Sequence, residues 1–401
     1  MQSVLHLSRR QALVILGTFP LTGALRAADV PVTSDPLAPW RSNVKIRPVS
    51  SAAGRHSIHS YYVKSPESPD GKSVLFYVST AANGQVGDIV VQDRQTGAER
   101  IVARGVHTED AHRAACQQWI SGGRRVAFHD MRDGQWLIAV VDLDTGKERI
   151  LARDHQLGFG EPTGEQLPIY GCHWNPRVHR DLEFVHAETG ELRKIATAAE
   201  VEKFQPAWIA EEFSGKPISI FFPVISPDGR KVFFKIAAGA GGDNYQSKAA
   251  SHRQGIFAYD LDKQRLVFFR GKWGHPAWHP DSQRISEMGN LLFDTADGSY
   301  KKIANLPTLR GCHPSISPDG KLQAQDGYLG DLDPTPNQWG VIVCDTRGDH
   351  FQVLHRFDNS QGAKSWRKNH PHPVFSADGR RLYFNVNSGE FTQLFVAEIA
   401  G

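Results

Sequence analysis

The chain has 401 residues, with 46 Lys and Arg against 43 Asp and Glu, 37 Gly, 23 Pro, 18 His and only 4 Cys. A composition 40% hydrophobic and 22% charged excludes wholesale disorder, and a formal charge of +3 with scattered cations gives no basis for nucleic-acid or polybasic membrane binding. Four Cys exclude a disulfide-stapled scaffold, while a prior of about 150 residues per domain suggests two or three domains and leaves the histidine count unexplained.

Residues 1–28 read as an export signal. Arg9 and Arg10 precede an apolar run from Ala12 to Leu25, followed by Arg26-Ala-Ala28. The run is short for a bilayer span and suits a signal core. The arginine pair followed by Leu13 is similar to the twin-arginine type, with an ordinary secretory signal as the alternative. Twin-arginine export moves folded proteins, so a metal could be loaded before export. A periplasmic or secreted protein is expected, with no membrane association once the signal is removed. Residues 29–44 read as a linker.

From there on one pattern repeats: an apolar stretch, Ser-Pro-Asp-Gly, a basic residue and an alternating strand. Full copies are Ser68-Pro-Asp-Gly71, Ser226-Pro-Asp-Gly229, Ser317-Pro-Asp-Gly320 and Ser376-Ala-Asp-Gly379. Weaker copies are Ile120-Ser-Gly-Gly123, Trp174-Asn-Pro176 and Trp278-His-Pro-Asp281. The Ser position falls at 68, 121, 175, 226, 279, 317 and 376, at intervals of 53, 54, 51, 53, 38 and 59. Pro fixes φ and Gly takes the left-handed position, so each copy is a turn between two strands. A second turn follows in Asp93–Gly97, Asp142–Gly146, Asp294–Gly298 and Asp345–Gly348. Two hairpins per unit and seven units predict an all-β, seven-bladed β-propeller over residues 45–401. The units after Asn175 and His279 are short enough to lack a regular outer strand. A segment within Val44–Tyr62 is expected to supply the strand that closes the ring. Helical periodicity is confined to about Thr197–Phe204. The excursion Gly239–Gln254 reads as a loop over the channel mouth, with plain surface loop as the alternative. It is no phosphate loop, since no Lys-Ser/Thr and no helix follow.

Three residues before the apolar position that precedes each turn stand Cys116, Gly171, Phe222, His275, His313 and His372. The last three are each followed by Pro, and His370 lies on the same face as His372. Successive inner strands should bring these four imidazoles together at one channel mouth, as a metal site or as buried rings bonded to backbone. Cys116, Cys172, Cys312 and Cys344 match no zinc spacing and read as buried thiols, although Cys312 adjoins His313. No Gly-x-Ser-x-Gly element is present, which leaves no basis for a serine esterase.

The segment His370-Pro-His372-Pro-Val-Phe-Ser-Ala-Asp-Gly379 resembles the HPHP stretch of oligogalacturonate lyases, and Gly274-His275-Pro-Ala-Trp278 is similar to their GHEFW-type segment. The Ser-Pro-Asp-Gly repeats are shared with TolB-like propellers at large. The resemblance implies a polysaccharide lyase that cleaves acidic, pectin-type oligosaccharides by metal-assisted β-elimination. It implies His275 as catalytic base, Arg253 as the cation that neutralises the uronate carboxylate, and His313, His370 and His372 as ligands of a manganese ion, with zinc or calcium as alternatives. Tyr245, Tyr170 or water would protonate the leaving oxygen. Related ulvan-type lyases use His and Tyr from other blades, which adds His112, His129 and Tyr170. Where the family carries a Gln ligand this chain has Arg367, so Asn369, a thiol or water would complete the shell, or Arg367 would replace part of the metal's charge. The partner expected is an acidic oligosaccharide and the chain a monomer. The alternatives are a non-catalytic TolB-like propeller that binds a protein, its channel filled by apolar side chains, and a metal-dependent epimerase or hydrolase.

Overall fold

The computed structural model describes residues 35–400 except 304, 311, 333, 334, 336 and 361–369, with Asp331 described by its backbone alone. The export segment, residues 29–34 of the linker, Arg367 and Asn369 lie outside the described residues.

Each full turn motif builds the same local structure. The glycine N–H donates to the carbonyl of the residue three before it, at 2.9 Å for Gly71, 2.8 Å for Gly229 and Gly320, and 3.0 Å for Gly379. The Ser hydroxyl donates to the Asp carboxylate at 2.6–2.7 Å and accepts the N–H five residues on. The glycines sit at φ between +70° and +72°, where a side chain would be strained. Ser, Asp and Gly thus each satisfy backbone groups that would otherwise be orphaned between two strands.

Among the described residues the strands form seven four-stranded antiparallel sheets, a seven-bladed β-propeller. The inner strands are His56–Ile58, Gln118–Ile120, His155–Leu157, Ser219–Ile225, Ala277–Trp278, Ser315–Ile316 and Val374–Phe375, in blades 1 to 7. The ring closes as expected. Val44–Pro48 pairs with Gln393–Ile399, from Val44 opposite Ile399 to Pro48 opposite Phe395, as the outer strand of blade 7.

Three local expectations are corrected. The turn of blade 3 is Glu161-Pro-Thr-Gly164, closed by the Gly164 N–H on the Glu161 carbonyl at 2.9 Å, whereas Trp174-Asn-Pro176 lies beyond the second strand Gln166–Gly171. A Thr in place of Asp hid the true turn, and a loop containing Pro at nearly the right interval replaced it. Blade 5 has an outer strand, Tyr300–Lys302, and blade 3 has Leu192–Ala196. The helix Ala198–Phe204 is present, capped by Thr197 and Glu200 in a reciprocal capping box, but a second helix, Pro206–Phe213, follows it.

The link after the inner strand of blade 1 is unusually long and runs along the axis. Tyr61 touches His112, Phe159, Phe222, His313 and His372, from as many other parts of the ring, and only an axial side chain can do so. The Tyr62 hydroxyl donates to the Pro276 carbonyl at 3.0 Å. Tyr61, Tyr62, Phe159 and Phe222 belong to one buried apolar cluster that fills the middle of the channel. On the turn side of this plug lies a cavity of about 420 Å³, lined by Val63, Trp278, Ile316 and Phe375 among others. On its other side are the histidines.

Candidate active site

His275, His313 and His372 stand immediately before the inner strands of blades 5, 6 and 7, and the ring packs them together. The His275 and His313 rings stack at 4.1 Å, and His313 and His372 meet edge-on at 4.5 Å. His370, half-buried, lies 5.1 Å from His313 and 5.8 Å from His372. His112, on the connection from blade 1 to blade 2, joins them at 4.5 Å from His372 and 5.0 Å from His370. Ligand atoms of His112, His313 and His372 lie within 4.8 Å of one another, as do those of His313, Asp326 and His370. These groups are of a kind and spacing that can hold a divalent metal.

Asp326, on the second strand of blade 6 (Leu322–Tyr328), organises this cluster. It is fully buried and accepts the His313 N–H at 2.7 Å, the His372 N–H at 2.9 Å and His313 Nδ1–H at 3.0 Å. The last contact puts the lone pair of His313 on Nε2. Burial pushes the Asp326 carboxyl up to about 6, against the pull of His370 and the two backbone N–H groups. His372 is fully buried at φ +49°, and neither of its ring nitrogens has a hydrogen-bond partner. A buried imidazole left so is costly unless it has a ligand. The donor set therefore fits a transition-metal ion.

His275 differs from its neighbours. Its Nδ1 donates to the Cys312 carbonyl at 2.9 Å, so Nε2 carries the lone pair. Burial, then His313 and Lys235, hold it well below its ordinary value, and it is neutral at pH 7. Glu287 accepts its backbone N–H at 2.6 Å. Trp273 lies beside it, with ring centres 6.4 Å apart, and gathers two cations. Lys235 Nζ is 3.7 Å from the Trp273 ring and donates to the Gly274 carbonyl at 2.5 Å; the Arg253 guanidinium is 5.7 Å from the same ring. The site thus offers a neutral base, two cations and an imidazole cluster.

The other candidates fall elsewhere. Tyr245 packs on Trp136 and Trp174 at 5.4 and 5.1 Å, so the excursion that carries it covers blades 2 and 3. Tyr170 accepts from Arg113 at 3.2 Å in a buried network in which Glu109 also binds His173 at 2.8 Å. His129 is buried against Trp136 at 5.4 Å. Cys312 faces an apolar cluster with Leu309 and Ile342, and burial pushes its thiol up to about 12. Asp326, Lys235, Tyr61 and Tyr62 were not singled out from the sequence. The available signal was a carboxylate, or a lysine, inside a strand buried on both faces.

No family model matches the chain, and no curated protein matches it. Among solved structures the fold is similar to an oligogalacturonate lyase in complex with manganese (15% identity over 90% of this chain and 94% of that one, TM-score 0.61). A TolB from Acinetobacter baumannii also matches, at 14% identity, TM-score 0.42, over 80% of this chain and 66% of that one. An oligogalacturonate lyase from Vibrio parahaemolyticus is similar at 16% identity over 90% of this chain and 95% of that one, with TM-score 0.59, so the chain shares the propeller fold of oligogalacturonate lyases.

Proposed function

We propose that the chain is an exported polysaccharide lyase that cleaves short uronic-acid-containing oligosaccharides, of oligogalacturonate type, by β-elimination at the histidine mouth of the channel. The observation that carries this reading is the His275 ring, whose hydrogen bond to the Cys312 carbonyl leaves Nε2 as base, beside two cations on Trp273. Arg253 and Lys235 bind and polarise the uronate carboxylate, which acidifies the C5 proton. His275 Nε2 takes that proton, the C4–O bond breaks, and a C4=C5 double bond forms. Water at the open mouth protonates the departing oxygen, since Tyr245 is packed onto Trp136 and Trp174. His112, His313 and His372, with His370 and Asp326 beside them, would hold a divalent ion, manganese by similarity to the lyase solved with it. Such an ion supplies Lewis acidity toward the carboxylate. The near-neutral net charge suits a short acidic sugar held by a few local cations. The protein acts as a monomer in the periplasm or outside the cell, where the Arg9-Arg10 signal would deliver it.

A second reading has one observation in its favour. The channel's middle is filled by Tyr61, Tyr62, Phe159 and Phe222, the apolar filling expected of a non-catalytic, TolB-like propeller that binds a protein. Product analysis after incubation with oligogalacturonate, ulvan and glucuronan oligomers separates the readings. A lyase yields a new unsaturated end; saturated products mean a hydrolase or epimerase, and unchanged oligomers favour the binding propeller.

A further inference from the structure

Blade 3 carries a second constellation, made of residues that the channel-mouth site does not use. His155 opens the inner strand of the blade, Glu183 lies on its third strand, Leu182–His186, and His179 sits on the loop between the second and third strands. Gly171 lets that loop close down. A Cβ at this position would lie 2.1 Å from the His179 carbonyl oxygen, and the Gly171 N–H donates to that oxygen at 3.1 Å. The loop is thereby fixed so that the His179 ring lies 4.2 Å from that of His155.

The hydrogen bonds define the chemistry. His155 Nδ1 faces the Arg153 carbonyl at 2.6 Å, and since a carbonyl only accepts, Nδ1 holds a proton. Its Nε2 faces Glu183 Oε2 at 2.8 Å, and His179 Nδ1 stands 4.0 Å from the same oxygen. An imidazole anchored through Nδ1–H to a backbone carbonyl is the arrangement in which Nε2 ligates a metal. Nitrogen and carboxylate oxygen that share a tetrahedral metal, each at about 2.0–2.2 Å, stand about 3.4 Å apart, so Nε2 and Oε2, hydrogen-bonded at 2.8 Å here, need part only slightly to admit an ion. The three ligand atoms lie within 4.8 Å of one another. His155 is buried while His179 and Glu183 are half-buried, so water can complete the shell from the outer side.

We propose that His155, His179 and Glu183 form a divalent transition-metal site, of zinc type, that staples the loop of blade 3 to its inner and third strands. Two imidazoles and one carboxylate suit zinc, and the site is separate from the imidazole cluster at the channel mouth.

The test uses the untagged full chain, stripped with chelator and titrated with Zn²⁺ by calorimetry. In the His313→Ala/His372→Ala background, whose fold is checked by circular dichroism, one equivalent of Zn²⁺ should still bind. Adding His179→Ala or Glu183→Gln should weaken that binding at least tenfold and abolish the Zn²⁺-dependent rise in melting temperature. The visible spectrum of the Co²⁺-loaded background should also disappear with His179→Ala. Should the background variant not fold, wild type and His179→Ala are compared directly, and the single variant should bind one equivalent fewer. No Zn²⁺ binding to the folded background, or equal stoichiometry and affinity with and without His179, overturns the proposal.

Discussion

At the scale of single residues, hydrogen-bond partners, one backbone carbonyl and one carboxylate, place the lone pairs of the site histidines. His275 is held with its lone pair on Nε2 by the Cys312 carbonyl, and His313 by the Asp326 carboxylate. Replacing His275 by Ala should lower kcat on a uronate substrate by about 10²–10⁴-fold, as removal of a general base does, and leave the circular dichroism spectrum unchanged. An unaltered kcat would remove His275 from the chemistry. His129 makes a separate prediction about stability. Buried, and beside Arg113, its imidazole is pushed from 6.5 down to about 4. The unfolded chain therefore takes up a proton that the folded one refuses. Stability contributed this way is complete above pH 6.5 and drains as pH falls toward 4, by at most about 3 kcal/mol. His129→Gln should show a smaller loss of melting temperature between pH 7.5 and pH 5 than wild type, measured by differential scanning calorimetry. The sequence exposed His275, His313 and His372 by their shared position before Pro. It marked Asp326 and Lys235 only as charges inside apolar strands, because their roles come from strands that meet only once the ring closes.

At the scale of elements, the long link after His56–Ile58 runs along the axis of the ring. It sends Tyr61 and Tyr62 into the axis, where they separate the histidine mouth from the apolar cavity on the turn side. Tyr62→Ala removes a fully buried ring and its bond to the Pro276 carbonyl, and should cost about 3–5 kcal/mol by denaturant unfolding. Since Tyr62 also packs on His313 at 4.9 Å, metal uptake at the mouth should weaken in the same variant. The turns were legible wherever Ser, Asp and Gly were all present, because each has a fixed hydrogen-bonding duty. The blade 3 turn became illegible where Thr163 replaced Asp, and the blade 5 outer strand Tyr300–Lys302 went unread because it is only three residues long. The helix Ala198–Phe204 announced itself through its capping box, whereas Pro206–Phe213, held by the packing of Trp208 on Phe257 and Phe269, did not.

At the scale of the whole molecule, two or three domains suggested by length become one ring, because every blade borrows its neighbours to bury its faces. The closing strand Val44–Pro48 is the only piece of the last blade that comes from the other end of the described chain. A chain beginning at Val49 should melt several degrees lower than one beginning at Pro36, and should self-associate through the exposed edge of Gln393–Ile399, seen by light scattering. The ring is also what turns four His-Pro pairs from three blades into one cluster. The lyase reading stands or falls on the ultraviolet absorbance of unsaturated uronate released from oligogalacturonate by wild type and by His275→Ala, each after chelation and after Mn²⁺ is restored. Product is expected from metal-restored wild type alone. Equal product from His275→Ala, or full activity in the chelated chain, would contradict it.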